Sequence, residues 1–256
     1  MNHSTLTGRS MNRKNYEQTL ILIKPDALKN SMTGYILSQL SETHTDSRFS
    51  GAKIVHVSRM LAEEHYAEHR GKPFFQALID YLTGVAHYPN EVWKRRVIAL
   101  VFHGSGTIKK IRGIVGPTNP HVARETSPGS IRSMGTVVPI LDKEGRIISQ
   151  RMDNLIHASA SKEEAEREIK LWFKPNEIPP ALQLYETEIC EEHYYYSHNH
   201  IFCRHVAGSV CLLAPGDLAW KSDLGTLKKI IRQKKISPHT VASVVAKHLI
   251  NVSMTE

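Results

Sequence analysis

The sequence predicts an α+β fold built on a small sheet, and three observations carry that expectation. Short apolar runs with strand-like character alternate along the chain with segments whose apolar residues recur at helical spacing. Cap and breaker residues punctuate the alternation, with Pro25 after the first run, Gly116 after a short basic segment and Pro175 after a long amphipathic one. There is no internal repeat and no low-complexity tract, so the alternation can be read directly.

TLILIK (Thr19 to Lys24) reads as a buried strand ended by Pro25, and TGYILSQLSE after it has helical spacing. AKIVHVSRM (Ala52 to Met60) alternates as a strand. AEEHYAEHR and PFFQALIDYL read as two helices, with Pro73 suited to the first turn of the second. RVIALVF (Arg96 to Phe102) is the next strand, and GTIKKIRGIVG is a short basic helix closed by Gly116. TVVPILDKEGRIISQ (Thr136 to Gln150) is two extended runs about an Asp-Lys-Glu-Gly turn, a projecting hairpin.

NLIHASAS (Asn154 to Ser161) follows, with Ser161 and Glu164 spaced as a capping box at the start of a helix. Ala165, Ile169, Trp172 and Phe173 give that helix its apolar face. His157 is thereby expected on a strand-to-helix connection, where free amides and the helix dipole favour an anion. A lone histidine after an apolar pair is, on the octet alone, more often a packed, hydrogen-bonded residue than a reactive one.

With 256 residues, 41% of them hydrophobic, the chain can bury a substantial core. The amino terminus MNHSTLTGRSMNRKNYEQ is polar and lacks an apolar signal core, and LILI, VIALVF and SVCLLA are too short to span a bilayer. A soluble, cytoplasmic protein with no membrane partner is expected. Cys190, Cys203 and Cys211 lie in the last quarter without a CxxC pair, which implies no disulfide framework. The net charge of +8 suits nucleic acid or a substrate carrying several phosphates and does not choose between them.

Taken in order, IKPDAL, EHYAEHRGKPFF, IRGIVGPTNP, SPGSIR, NLIHASAS and EREIKLWF closely resemble the segments of nucleoside diphosphate kinases. The resemblance spans residues 17–179, between a flexible segment at 1–16 and a carboxy-terminal extension at 180–256 whose role it does not reach. It implies a ferredoxin-like α/β sandwich with an antiparallel four-stranded sheet. It also implies transfer of the terminal phosphate of a nucleoside triphosphate, typically ATP, to a nucleoside diphosphate by a ping-pong route.

By resemblance His157 is the nucleophile that becomes phosphohistidine, Glu168 orients its ring, and Ser159 is the hydroxyl beside them. Lys24, Arg112 and Arg132 match the phosphate-binding cations, and Thr118 matches a hydroxyl donor to the same phosphates. Phe74 matches the ring that stacks on the base, with Leu78 one turn on. Tyr66 matches an active-site tyrosine near the histidine, and Asn154 the residue that binds the ribose hydroxyl.

The residue types suit that chemistry. Imidazole is partly neutral near physiological pH, guanidinium groups contact two oxygens together, and stacking tolerates many bases. No GxxxxGK[ST] loop occurs. Magnesium is expected on the nucleotide phosphates, with no protein-held metal. A homo-oligomer is implied by resemblance only.

The sequence departs from the family pattern at Ala158, where glycine is usual, and at Ala160, where aspartate is common. Extra residues stand at Val85 to Lys94, Val122 to Glu125 and Thr136 to Arg151, and they interrupt no matched residue. The last two flank Arg132, which points to the nucleotide entrance or an oligomer contact.

In the extension, EEHYYYSHNHIFCRH (Glu191 to His205) fits no standard zinc spacing and reads as an aromatic packing or pairing strand. Asp223 to Ile250 reads as two helices broken near Ser237-Pro238, the first of them basic, docked as an appendage on the kinase. A nucleotide-sensing or nucleic-acid-binding module with the basic tail as effector is the alternative. A third reading keeps the chemistry and changes the acceptor to a protein histidine or another phosphate.

Overall fold

A strand buried on both faces organises the molecule. In the computed structural model, which describes residues 15–232 and 238–250, β1 (Tyr16–Ile23) sends Leu20 and Leu22 to one side of the sheet and Ile21 and Ile23 to the other. All four are fully buried, each contributing roughly 1.5–3 kcal/mol of apolar burial. After β1 come α1 (Pro25–Lys29), α2 (Thr33–Gln39), α3 (Glu42–Thr45), β2 (Arg48–Val55), α4 (Arg59–His65) and α5 (Phe75–Leu82). Then follow β3 (Val97–Ser105), α6 (Thr107–Val115), α7 (Pro120–Thr126), the hairpin β4 (Thr136–Leu141) and β5 (Ile147–Asp153), β6 (Ile156–Ala158) and α8 (Lys162–Trp172).

The main sheet has the order β2-β3-β1-β6, and every neighbouring pair is antiparallel. Ile36 and Leu40 at the end of α2, with Ile111 and Val115 of α6, cover the Ile21 face. Leu61 of α4, Ile79 and Leu82 of α5, and Ile169 and Trp172 of α8 cover the Leu22 face. This is the ferredoxin-like sandwich with a four-stranded antiparallel sheet.

Some local expectations shift. The second strand begins at Arg48 and ends at Val55, because the Ser58 side chain accepts from Leu61 N–H and starts α4, taking Arg59 and Met60 into the helix. Pro73 lies in the turn before α5, whose amino-terminal cap is Phe74. His157 lies within the short edge strand β6, not on the connection after it. Ser161 caps α8 as expected, but Glu164 reaches back to Ala160 N–H and occupies an amide that an anion would have needed. The expected flexible segment 1–16 falls outside the described residues except for Asn15 and Tyr16, and Tyr16 opens β1.

The extension contributes β7 (Thr187–Ile189), β8 (Tyr194–Ser197), β9 (His200–Phe202), β10 (Val210–Leu213), β11 (Leu218–Trp220), α9 (Lys221–Ile231) and α10 (Pro238–Val245). The His/Tyr tract does form pairing strands, with β8 between β10 and β9. The break expected near Ser237 lies outside the described residues. Cys190 is buried, Cys203 and Cys211 are exposed, and all three are free thiols. No helix among the described residues is long and apolar enough to cross a membrane.

The extension has its own core of Tyr194, Leu213, Leu224 and Leu227, but Trp220 and Ala246 join the core under the main sheet. Trp220 is 1% exposed and its indole N–H donates to the Phe173 carbonyl at 2.8 Å. Truncating so large a buried ring leaves a cavity and an unsatisfied carbonyl. Trp220→Ala is therefore expected to lower unfolding free energy by about 3–5 kcal/mol, checked by urea denaturation of the full chain.

Candidate active site

The site begins with a tight turn. Leu155 has φ 68, a left-handed conformation that costs a leucine about 1–2 kcal/mol. The buried Asp26 carboxylate holds it there, accepting from Leu155 N–H at 2.8 Å and from the Tyr81 hydroxyl at 2.7 Å. Tyr81 in turn accepts from Asn154 N–H at 3.0 Å, and Lys24 N–H donates to the Leu155 carbonyl at 2.9 Å. The turn thus fixes Asn154 before it and His157 after it, the latter paired with Leu22 of β1.

Behind His157 stands Glu168, on the inward face of α8 and 3% exposed. Its Oε2 lies 2.9 Å from His157 Nε2 and accepts the Ser159 hydroxyl at 2.6 Å. Ser159, fully buried, accepts from Leu20 N–H at 3.1 Å, so the chain of donors is anchored in the central strand. Burial alone would raise the Glu168 carboxyl, but His157, His65 and the Ser159 hydrogen bond overcome it and hold it at about 2. An ionised carboxylate can only accept, so Nε2 of His157 carries the proton and Nδ1 carries the lone pair. Nδ1 has no hydrogen-bond partner among the described residues.

His65 was not singled out from the sequence. Its ring sits edge to face with that of His157, centroids 4.5 Å apart. Its Nδ1 accepts from the Trp172 indole at 3.3 Å, which puts its proton on Nε2. Burial, with His157 nearby, pushes it down to about 3, so it is a neutral wall and not a second charge. Its position beside Tyr66 in EHYAEHR was the available signal.

Three cations face the same cleft. Lys24 is buried, lies 4.3 Å over the Tyr81 ring and bonds to the Asn154 side-chain oxygen. Burial lowers it to about 7, with Asp26 pulling the other way. Arg132 is lowered to about 10 by burial and by Arg112. It donates through Nε and Nη2 to the Ile156 carbonyl at 3.3 and 3.1 Å, and through Nη1 to the Gly116 carbonyl at 3.1 Å and to Thr118 Oγ1 at 3.4 Å. Gly116 has φ 83, and a Cβ there would collide with the Ser130 side chain, so the turn needs glycine. Arg112 reaches the Ala158 carbonyl at 3.4 Å. No acid pairs with Lys24, Arg112 or Arg132 among the described residues, whereas Lys53, Arg59, Lys110 and Lys170 are each ion-paired with a carboxylate.

These groups line one cleft of about 570 Å³. Of the residues singled out from the sequence, it gathers Lys24, Tyr66, Phe74, Leu78, Arg112, Thr118, Arg132, Asn154, His157 and Glu168, while Ser159 lies just behind Glu168. Burial keeps the Tyr66 phenol protonated. Phe74 is 46% exposed at the mouth, with its ring edge-on to His69 at 5.6 Å. Both ends of the Asn154 amide are engaged, Oδ1 by Lys24 and Nδ2 by the Thr118 carbonyl at 2.8 Å. The hairpin expected to project also lines the cleft, through Ser149, Gln150, Arg151 and Met152. Arg124, in the extra residues 122–125, donates to the Ser133 and Gly135 carbonyls at 3.1 and 2.7 Å and braces the turn that carries Arg132.

Comparison with known proteins agrees with this geometry. The nucleoside diphosphate kinase family profile matches residues 17–178. A nucleoside diphosphate kinase of Pyrococcus furiosus is 40% identical over 162 residues, 63% of this chain and 86% of that protein. One from Staphylococcus aureus is 39% identical over 163 residues, 63% of this chain and 91% of that protein. The crystal structure of the Aquifex aeolicus nucleoside diphosphate kinase superposes with a TM-score of 0.50 at 32% identity, covering 64% of this chain and 99% of that one. On these grounds the chain belongs to the nucleoside diphosphate kinase family.

Proposed function

We propose that the chain moves the terminal phosphate of a nucleoside triphosphate to a nucleoside diphosphate by way of His157. The observation that carries this is the Nδ1 of His157, which among the described residues has no hydrogen-bond partner and lies at a cleft whose three cations form no ion pair with an acid. In the first half-reaction the Nδ1 lone pair attacks the terminal phosphorus, the Nδ1–P bond forms, and the bond from phosphorus to the bridging oxygen breaks. The electron pair leaves on the diphosphate, whose charge Lys24, Arg112 and Arg132 are placed to receive. The Nε2 proton stays in its hydrogen bond to Glu168, which strengthens as the ring gains positive charge. The second half-reaction is the reverse, with a different diphosphate oxygen attacking phosphorus and the electron pair returning to Nδ1.

Thr118 and Arg132 bind phosphate together in this reading, Phe74 and Leu78 hold the base, and Asn154 meets the ribose once its amide is released. Tyr66 and Ser159 complete the histidine's surroundings. Among the described residues the one group able to gather three metal ligands is His65, His157 and Glu168. Two imidazoles and a single carboxylate already bonded to His157 and Ser159 do not fit magnesium, which prefers oxygen ligands in octahedral array. Magnesium therefore enters with the substrate, on its phosphates.

The kinase unit is residues 17–179 with the extension 180–256 beside it, and the cytoplasmic setting expected from the sequence belongs to the same reading. A homo-oligomer does too. What supports it is the edge strand β2, which leaves Phe49 and Ile54 exposed.

Incubation with γ-labelled ATP and magnesium, followed by a GDP chase, tests the reaction. Acid-labile label on the wild type, absent from His157→Ala and released into GTP, is the expected result. ATP binding without label would end the proposal. Glu168→Gln should still bind nucleotide while label forms on the order of 10²-fold more slowly in rapid-quench measurements.

Lys24 gives a pH signature. A buried amine lowered to about 7 is mostly neutral at pH 8, and phosphate brings its proton affinity back up. ADP binding is thus expected to take up protons at pH 8 and little at pH 6. Calorimetry in two buffers of different ionisation enthalpy measures the difference, which Lys24→Met should remove.

A further inference from the structure

We propose that Arg151, on the extra hairpin, forms the wall of the cleft that holds the nucleoside's base, and that His87, from a different extra segment, positions it through Asp153. The inference rests on the phosphotransfer reading above and names a contact that reading lacks.

Arg151 is gripped in one plane. Its Nε donates to Asp153 Oδ1 at 2.6 Å and its Nη2 to Asp153 Oδ2 at 3.0 Å, the bidentate arrangement that fixes a guanidinium. Its Nη1 makes no hydrogen bond among the described residues. Asp153 is 7% exposed and meets His87 Nε2 at 2.9 Å through the same Oδ2. His87 is buried and does not line the cleft. It is held by Lys29, which donates to its carbonyl at 3.0 Å, and by the Tyr81 ring at 5.2 Å. Two stretches that a compact kinase of this family does not need, 85–94 and 136–151, therefore meet at one buried carboxylate. What they jointly fix is a side chain in the cleft.

Charge indicates which part of the ligand Arg151 meets. Asp153 is ion-paired directly with Arg151, whereas no carboxylate among the described residues forms an ion pair with Lys24, Arg112 or Arg132, so the phosphates are drawn to those three. A compensated, planar guanidinium suits a flat, uncharged partner, which it can cover face to face. Its companions agree. Met152 beside it is 40% exposed and lines the same cleft as Phe74 and Leu78, which give it apolar and aromatic surface. The ligand class is the base of a nucleoside di- or triphosphate, stacked on a guanidinium that the hairpin brings in.

Pyrophosphate, which has no base, separates this from phosphate binding. Dissociation constants of ADP and pyrophosphate are measured by calorimetry on the full chain, for the wild type, Arg151→Ala, Arg151→Lys, His87→Leu and His87→Gln. Arg151→Ala is expected to weaken ADP about tenfold and pyrophosphate by less than about twofold. Arg151→Lys should behave alike, since an ammonium has no plane. His87→Leu should weaken ADP about threefold with pyrophosphate unaffected, and His87→Gln, which keeps a donor to Asp153, should restore it. Unchanged ADP affinity in Arg151→Ala, or equal losses for both ligands, overturns the assignment of Arg151. ADP binding by folded His87→Leu at the wild-type level overturns the relay. Should His87→Leu not fold, the failure of His87→Gln to bind ADP as the wild type does overturns it instead. A wild type that takes no label from ATP yet shows the Arg151 effect would sink the phosphotransfer reading and leave this one standing.

Discussion

The Asp26 carboxylate is the contact on which the site depends. It sits at the start of the helix that follows the central strand, and it ties the first segment of the chain to a turn more than a hundred residues later. That turn is strained at Leu155, and strain of this kind persists only where the surroundings over-determine it. Two hydrogen bonds to one carboxylate, plus the Lys24 amide on the Leu155 carbonyl, supply that determination. The consequence reaches both neighbours of the turn. Asn154 and His157 point into one cleft because the backbone between them cannot relax to an ordinary conformation.

The same cleft concentrates charges that folding alone would not favour. Lys24 and Arg132 are buried and form no ion pair with an acid among the described residues, and burial lowers the proton affinity of both. A ligand carrying several negative charges removes that cost on binding, so part of the affinity for polyphosphate is stored in the folded protein. His65 follows the opposite logic. Held neutral against Trp172, it packs beside the nucleophile without adding to the positive field that would repel an imidazole gaining charge.

Short-range order made much of this legible in the sequence. The apolar run of β1, the Ser161 cap and Gly116 after α6 are local signals, and each led to the right element. The matched segments also named the residues that converge on the cleft. What stayed hidden was any role set by partners distant in the chain. Asp26 was visible inside Lys-Pro-Asp, but its partners are Tyr81 and Leu155, which no spacing rule connects. His157 was expected beside a helix terminus because the cap is local, whereas its pairing with Leu22 is not. The extra stretches at 122–125 and 136–151 were placed by their position beside Arg132 at the nucleotide entrance or an oligomer contact, but the residues they meet were hidden for the same reason. Arg124 bracing the Arg132 turn, and His87 meeting Asp153, are contacts between loops whose lengths carry no information about where they fold back.

The extension shows how such contacts constrain the competing reading, in which a basic tail acts as an effector. Its helices do not hang free. α10 and the turn Ala246–His248 pack on α4 and α8, the helices whose inner sides carry His65 and Glu168. Several of its basic groups are already engaged: Lys221 with Glu186, Lys228 with Glu188, and buried Lys247 with Asp223 and the Val244 carbonyl. Lifting the segment away to meet a nucleic acid would expose Trp220 and Ala246 and break the bond from the Trp220 indole to the Phe173 carbonyl. The packing therefore favours a segment that backs, from behind, the two helices carrying His65 and Glu168.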